Sequence, residues 1–181
     1  MNDLNATIQD RRSIRTMESR PIADEDLAKV LEAIRWAPSW ANTQCWEVVV
    51  ATDPQVKTAL QETLAGSKNP AAKAMLDAPV VLVICARKDI SGFYKGEAAT
   101  RFGDWMMFDL GMATQNLCLM AHSLGLGTVV VGMFDHQKAA GVINLPAGYE
   151  LVAMVPIGYP AREVKPPKRR EVSEFIHANR W

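Results

Sequence analysis

Five residues near the start of the chain concentrate positive charge: Arg11-Arg12-Ser13-Ile14-Arg15. Three guanidinium groups this close repel one another unless an anion or acidic side chains neutralise them. A guanidinium fork matches phosphate oxygens, and a neighbouring hydroxyl adds a donor, so the cluster suits a phosphate-bearing ligand. A solvated helix end with surface ion pairs gives the same run of residues, and the cluster alone does not separate the two. A second stretch, Ala37-Pro38-Ser39-Trp40-Ala41-Asn42-Thr43-Gln44-Cys45-Trp46, is rich in turn-formers and holds Ser39, Asn42 and Gln44 together with two tryptophans. Asn and Gln present donor and acceptor together, which matches the mixed edge of a planar heterocycle. Trp40 can lie near such a ring and exclude water. The competing reading is a capped helix end with Asn42 in a turn, and Trp46 reads as core in either case.

Other chemistries are missing their residues. There is no Gly-x-Ser-x-Gly and no Walker phosphate loop. His122, His136 and His177 are scattered without metal-ligand spacing, so solvated or capping roles are expected for them and no metal site. Gly125-Leu126-Gly127 imitates part of a dinucleotide fingerprint, but that fingerprint follows a strand and opens a helix, whereas these glycines follow a helix and precede a strand.

Composition bounds the class. The 181 residues are 49% hydrophobic and 22% charged, with 20 Lys plus Arg against 20 Asp plus Glu. That fits one compact domain over 1–181, with no net field to gather nucleic acid or an anionic membrane. Met1-Asn2-Asp3-Leu4 lacks the basic-then-apolar pattern of a signal peptide. Cys45, Cys85 and Cys118 stand far apart among apolar neighbours, so buried free thiols in a reducing cytoplasm are expected. The uncharged run from Gly111 to Phe134 carries Gln115, Asn116, His122 and Ser123 and is broken by Gly125 and Gly127. It reads as a buried helix then a buried strand, not as a membrane span.

The elements that must position these residues form an α+β layout. Leu4 to Asp10 reads as a short helix leading into the arginines. Asp24, Glu25 and Asp26 suit a helix N-terminus, Leu27, Val30, Leu31 and Ile34 follow at helical spacing, and Pro38 ends that helix. Cys45 to Ala51 reads as a strand with Val48, Val49 and Val50 buried. Helices are expected from Asp53-Pro54 and around Pro70 to Asp77, with a buried strand from Pro79 to Cys85. Trp105 to Leu124 is a long apolar helix with Gly125 as a left-handed cap. Thr128 to Gly132 reads as a strand, Gln137 to Ile143 as a helix and Glu150 to Gly158 as the last strand. Beyond Pro160 comes a basic, proline-rich arm, 161–181, ending in Val172, Phe175, Ile176 and Trp181. It has little core of its own and must pack on its own body or on another subunit.

Taken together, several pieces resemble the nitroreductase family of FMN-dependent oxidoreductases. They are Arg11-Arg12-Ser13-Ile14-Arg15; Ala37-Pro38-Ser39 with Asn42 and Gln44-Cys45-Trp46; Leu124-Gly125-Leu126-Gly127-Thr128 with Val131-Gly132; Pro156-Ile157-Gly158-Tyr159-Pro160; and Lys168-Arg169 before a tail ending in tryptophan. The resemblance runs from about Ser13 to Trp181, in order. It implies a mostly antiparallel sheet flanked by helices, in an intertwined homodimer. Each FMN would lie in a cleft at the subunit interface, the long central helix would be the main dimer contact, and the arm would be exchanged with the partner. Arg11, Ser13 and Arg169 would grip the FMN phosphate, with Arg12 and Lys168 in support. Arg15 would sit at the flavin N1/C2-carbonyl edge, where positive charge stabilises the reduced ring. Pro38, Ser39, Asn42 and Gln44 would reach in from the other subunit, and Val131 and Gly132 would lie against the ring, where a small residue permits close approach. Trp40, Phe93 and Tyr94 would border the acceptor pocket. No side chain is an obligatory acid or base in this family: hydride passes from NADH or NADPH to flavin N5 and on to a small acceptor such as a nitroaromatic or quinone.

The chain departs from the family pattern at Cys45, often proline, and at Met17, often aromatic. Beside a flavin, Cys45 would be open to redox chemistry. The chain is also short, with little room for the helices that cover the flavin in larger relatives, which implies an open acceptor pocket. Two further readings stay open at this stage: a non-catalytic flavin-sequestering protein on the same fold, and an interaction module whose arm and apolar helix serve dimerisation alone.

Overall fold

The computed structural model describes residues 3–66 and 69–181. Its centre is a four-stranded antiparallel sheet of β1 (Trp46–Ala51), β2 (Val80–Arg87), β5 (Gly127–Thr128) and β6 (Tyr149–Gly158), in the order β1-β2-β6-β5. A separate short hairpin pairs β3 (Phe93–Tyr94) with β4 (Glu97–Ala98). Six helices surround the sheet: α1 (Leu4–Asp10), α2 (Asp24–Arg35), α3 (Pro54–Glu62), α4 (Ala72–Asp77), α5 (Met106–Ser123) and α6 (His136–Val142).

Strand β2 shows why the fold is layered. Side chains alternate across a strand, yet Val80 to Ala86 are all buried. Val80, Leu82, Ile84 and Ala86 pack with α2 and α5 in one core, and Val81, Val83 and Cys85 with α3, α4 and α6 in a second. A continuous apolar run is what a strand covered on both faces requires.

The helix ends follow their local chemistry. Asp3, Asp53 and Asp135 cap α1, α3 and α6 through their carboxylates, satisfying amides that would otherwise lack partners. Asp24, Glu25 and Asp26 fill the first turn of α2. Helix α5 closes at Gly125, whose φ is 77°. Leu126 N–H donates to Ala121 O at 2.8 Å and Gly125 N–H to His122 O at 3.0 Å, the paired bonds of a glycine-closed helix end.

Two expectations need correction. The valines of β1 are not buried: Val48 is half-buried, and Val49 and Val50 are 37% and 38% exposed. β1 is an edge strand, and among the described residues no strand covers its outer side. The strand expected from Thr128 to Gly132 pairs regularly only at Gly127–Thr128. It detaches at Val130, returns for one bridge from Val131 to Met154, and leaves Gly132 exposed. The hairpin β3–β4 carried no sequence signal that was recognised. Beyond Pro160, every residue of the arm is exposed, Trp181 completely, at 102%.

The arginine cluster is held in place by one close contact. Ser13 pairs with Thr128 in a parallel bridge, and Ile14 N–H donates to Thr128 O at 2.9 Å. A Cβ on Gly127 would stand 2.7–3.0 Å from the Ile14 side chain, so the absence of a side chain at 127 lets the cluster lie against β5. Gly127→Ala is expected to cost about 1–3 kcal/mol through overpacking, lowering Tm by about 2–4 °C per kcal/mol at this chain length. An unchanged Tm in a thermal melt would show that the contact is not tight.

Candidate functional site

The segment from Arg11 to Arg15 runs alongside β5 as an extended strand, so alternate side chains face opposite ways. Ile14 is buried in the core, and Ser13 and Arg15 face outward. Arg11 and Ser13 line a cleft of about 460 Å³ with Thr114, Gln115, Val130 and Gly132. Arg15 lines a second cleft of about 430 Å³ with Asn69, Val130, Val131 and Gly132. The two meet at Val130 and Gly132. Among the described residues, neither Arg11 nor Arg15 is in an ion pair. Their charge is therefore available to an anion.

Gly132 faces open space: a Cβ built there meets nothing within 4 Å. The detachment of the chain after Thr128 makes this space, since Val131 N–H donates to Met154 O at 2.8 Å and the return bond is 2.9 Å, while its neighbours on either side are exposed. A flat ring could approach this backbone as closely as van der Waals contact allows. The residues present therefore fit a phosphorylated planar ligand, with a cation and a hydroxyl in one cleft, a second cation in the other and bare backbone where the two meet.

Arg12 is placed differently. Its guanidinium donates to Gln9 O and, at 2.9 Å, to Arg11 O, where it caps the end of α1. It lines a cavity of about 690 Å³ that Arg11 also borders, with Asp10, His122, Arg162 and Glu163.

Pro38, Ser39, Asn42 and Gln44 lie on a loop built around the single turn Trp40–Asn42. Ala41, Asn42 and Gln44 all have left-handed φ, 45°, 55° and 48°. Gln44 N–H donates to Ser39 Oγ at 2.9 Å. Thr43 Oγ1 is buried with no partner among the described residues. None of Ser39, Asn42 and Gln44 lines the two clefts of its own chain. Pro38 instead lines a cavity of about 520 Å³ with Met107, Phe108, Gly111 and Gln115 on the outer face of α5. Lys168 and Arg169 sit on the exposed arm, where the single chain does not bring them to Arg11. Trp40 and Phe93 are half-buried and Tyr94 is exposed.

Two residues were missed by sequence reasoning. Asn69 lines the Arg15 cleft, accepts from Ala71 N–H at 2.9 Å and donates to Met133 O at 3.5 Å, beside Gly132. No local pattern marks it, because its neighbours in space are some sixty positions away in sequence. Asp109 is fully buried in α5 and accepts from Trp40 N–H at 3.1 and 3.2 Å and from Ser91 Oγ at 2.6 Å. Its signal was an acid inside an otherwise apolar helix. Among the described residues, no group of three or more His, Cys, Asp or Glu side chains is arranged to hold a metal, and no helix is long and apolar enough to cross a membrane.

Cys45 does not meet the expectation of redox access. It is buried, and its Sγ donates to Asp109 Oδ2 at 3.7 Å. Burial first, then the Asp109 charge, pushes its pKa up to about 12, and burial does the same for Cys85. At pH 8 such thiols are ionised to roughly one part in ten thousand. The folded protein is thus expected to resist iodoacetamide at pH 8 at Cys45 and Cys85, and to label at both once unfolded. Since the folded pKa lies above the unfolded value of 9.0, this contribution to stability is complete below about pH 9 and falls as pH rises toward 12. Rapid native labelling at Cys45, read by peptide mass spectrometry, would contradict this burial.

Comparison with known proteins bears on this site. The family model for the nitroreductase family matches residues 8–159. An FMN reductase (NAD(P)H) of Bacillus subtilis is 31% identical, with 93% of this chain and 70% of that protein covered. An NADH dehydrogenase of Thermus thermophilus is 30% identical over 92% of this chain and 91% of the other. In three dimensions, nitroreductase A from Vibrio parahaemolyticus matches with a TM-score of 0.81 at 26% identity, covering 100% of this chain and 78% of that one.

Proposed function

The chain belongs to the nitroreductase family, and on that premise we propose that it is an FMN-dependent oxidoreductase using NADH or NADPH to reduce a small acceptor, such as a nitroaromatic or quinone. The observation that carries this reading is the pair of clefts meeting at Gly132, with Arg11 and Ser13 in one and Arg15 in the other, neither arginine in an ion pair among the described residues. When bound, FMN supplies an N5 that accepts hydride from NAD(P)H and releases it to the acceptor in alternating half-reactions.

The chain's own residues bind, orient and shield. Arg11 and Ser13 grip the phosphate through charge-assisted hydrogen bonds. Arg169 and Lys168 would reach the same end only once the arm is exchanged in a dimer, and Arg12 steadies the segment by capping α1. Arg15 places a cation at the N1/C2-carbonyl edge, where it favours the reduced ring. Val131 and Gly132 present backbone to one face of the ring.

A second copy completes the site in this reading. The arm touches its own body at its root, where Ala161 N–H donates to Thr16 O at 3.1 Å, and every residue from 161 to 181 is exposed. Met107 and Phe108 on the outer face of α5 are 61% and 60% exposed, and Gly111 beside them is exposed too. A homodimer formed across α5, with arms exchanged, covers both and carries Pro38, Ser39, Asn42 and Gln44 to the partner's flavin. Residues 1–181 then act as a single FMN-binding domain, with 161–181 as the exchanged arm. Trp40, Phe93 and Tyr94 border the acceptor entrance.

The test is spectroscopic. The purified protein, supplemented with FMN, is expected to show flavin absorption bands that bleach on anaerobic addition of NADH or NADPH and return when a quinone is added. Absence of any flavin band would overturn the reading. Bands that stay yellow with both reductants would leave a flavin binder without this activity.

A further inference from the structure

We propose that Asp109 is a positioning residue for this reaction: its buried carboxylate holds the 39–44 loop and the 91–98 hairpin against the central helix, fixing two walls of the acceptor entrance. The inference rests on the flavin reading above and adds a residue to which that reading gives no role.

Three segments distant in sequence converge on this one side chain. Trp40 N–H donates to both oxygens, at 3.1 and 3.2 Å. Ser91 Oγ donates at 2.6 Å from the base of the hairpin, and Cys45 Sγ at 3.7 Å from the start of β1. Asp109 itself has no exposed surface, and among the described residues no cation pairs with it. A buried charge held only by neutral donors is expensive compared with an apolar residue of similar size. What it provides is direction: each donor must aim at a fixed oxygen.

The loop needs such an anchor. Left-handed backbone at Ala41, Asn42 and Gln44 persists only where the surroundings over-determine it. The loop's other hydrogen bonds are internal to it: Asn42 N–H to Ser39 O, Thr43 N–H to Trp40 O and Gln44 N–H to Ser39 Oγ. The hairpin base is equally constrained. Ser91 O accepts from Trp105 N–H at 3.0 Å, and a Cβ on Gly92 would stand 2.5 Å from both Gly103 O and the Trp105 ring. The fully buried Ser91 hydroxyl donates to Asp109. One carboxylate thereby sets where Trp40, Phe93 and Tyr94 stand relative to α5.

Asp109→Asn and Ser91→Ala separate the two walls. In the flavin-free chain, Asp109→Asn is expected to speed amide exchange about tenfold or more in both 39–44 and 91–98, the equivalent of one lost hydrogen bond to a charged group. The amides of β2 and β6 should keep their protection. Ser91→Ala should speed exchange in 91–98 alone, and it carries the test if the Asp109 variant does not fold. In the FMN-loaded enzyme, either variant should raise the acceptor KM more than it lowers kcat. Wild-type exchange in both segments, opening that extends through β2 and β6, an equal response of both segments to Ser91→Ala, or an unchanged KM would each overturn the proposal. If the wild type neither binds FMN nor oxidises NAD(P)H, the flavin reading fails, and the proposal fails with it whatever the exchange shows.

Discussion

A carboxylate with no access to water must be surrounded by donors, or the helix that carries it is destabilised. Asp109 meets that requirement by drawing a loop from one side of the chain and a hairpin from another onto α5. The same helix has its inner face in the main core, through Leu110, Ala113, Leu117 and Ala121, and its outer face uncovered. Trp40, Cys45 and Ser91, from three separate segments, all donate to this one carboxylate.

The near side is governed by a steric constraint instead. Gly127 leaves room for Ile14, and Ile14 N–H is fixed to Thr128 O. The alternation of an extended strand then turns Ser13 and Arg15 outward. The chain after Thr128 peels away and rejoins the sheet for a single residue, which strips Gly132 of neighbours. Cationic side chains and bare backbone end up on two clefts with a common edge.

Much of this was legible in the sequence, for local reasons. Helix ends marked by acids, prolines and Gly125 lie within a residue or two of their expected places, because capping is decided within one turn. The β2 run read as a buried strand because both faces of the sheet are covered. What failed was decided by position in the sheet, which local sequence does not encode. β1 looked like a core strand and is an edge. Thr128 to Gly132 looked continuous and is interrupted. The arginines and Gly132 stand out by type and order, and the fold brings Arg11, Arg15 and Gly132 to two adjoining clefts. Asn69 and Asp109 do not stand out, since their roles arise only when distant segments meet. Arg12 shows the converse: its residue type suggests phosphate, and its geometry caps α1.

The central claim is that the clefts meeting at Gly132 seat a flavin held by Arg11 and Ser13. Titration of FMN into flavin-free protein, followed by quenching of flavin fluorescence, addresses it directly. Wild type should saturate at one FMN per chain. Arg11→Ala combined with Ser13→Ala should bind more than tenfold more weakly while melting near the wild-type temperature, at about 1.5–3 kcal/mol for each charged contact removed. Equal affinity in a folded double variant would contradict the account.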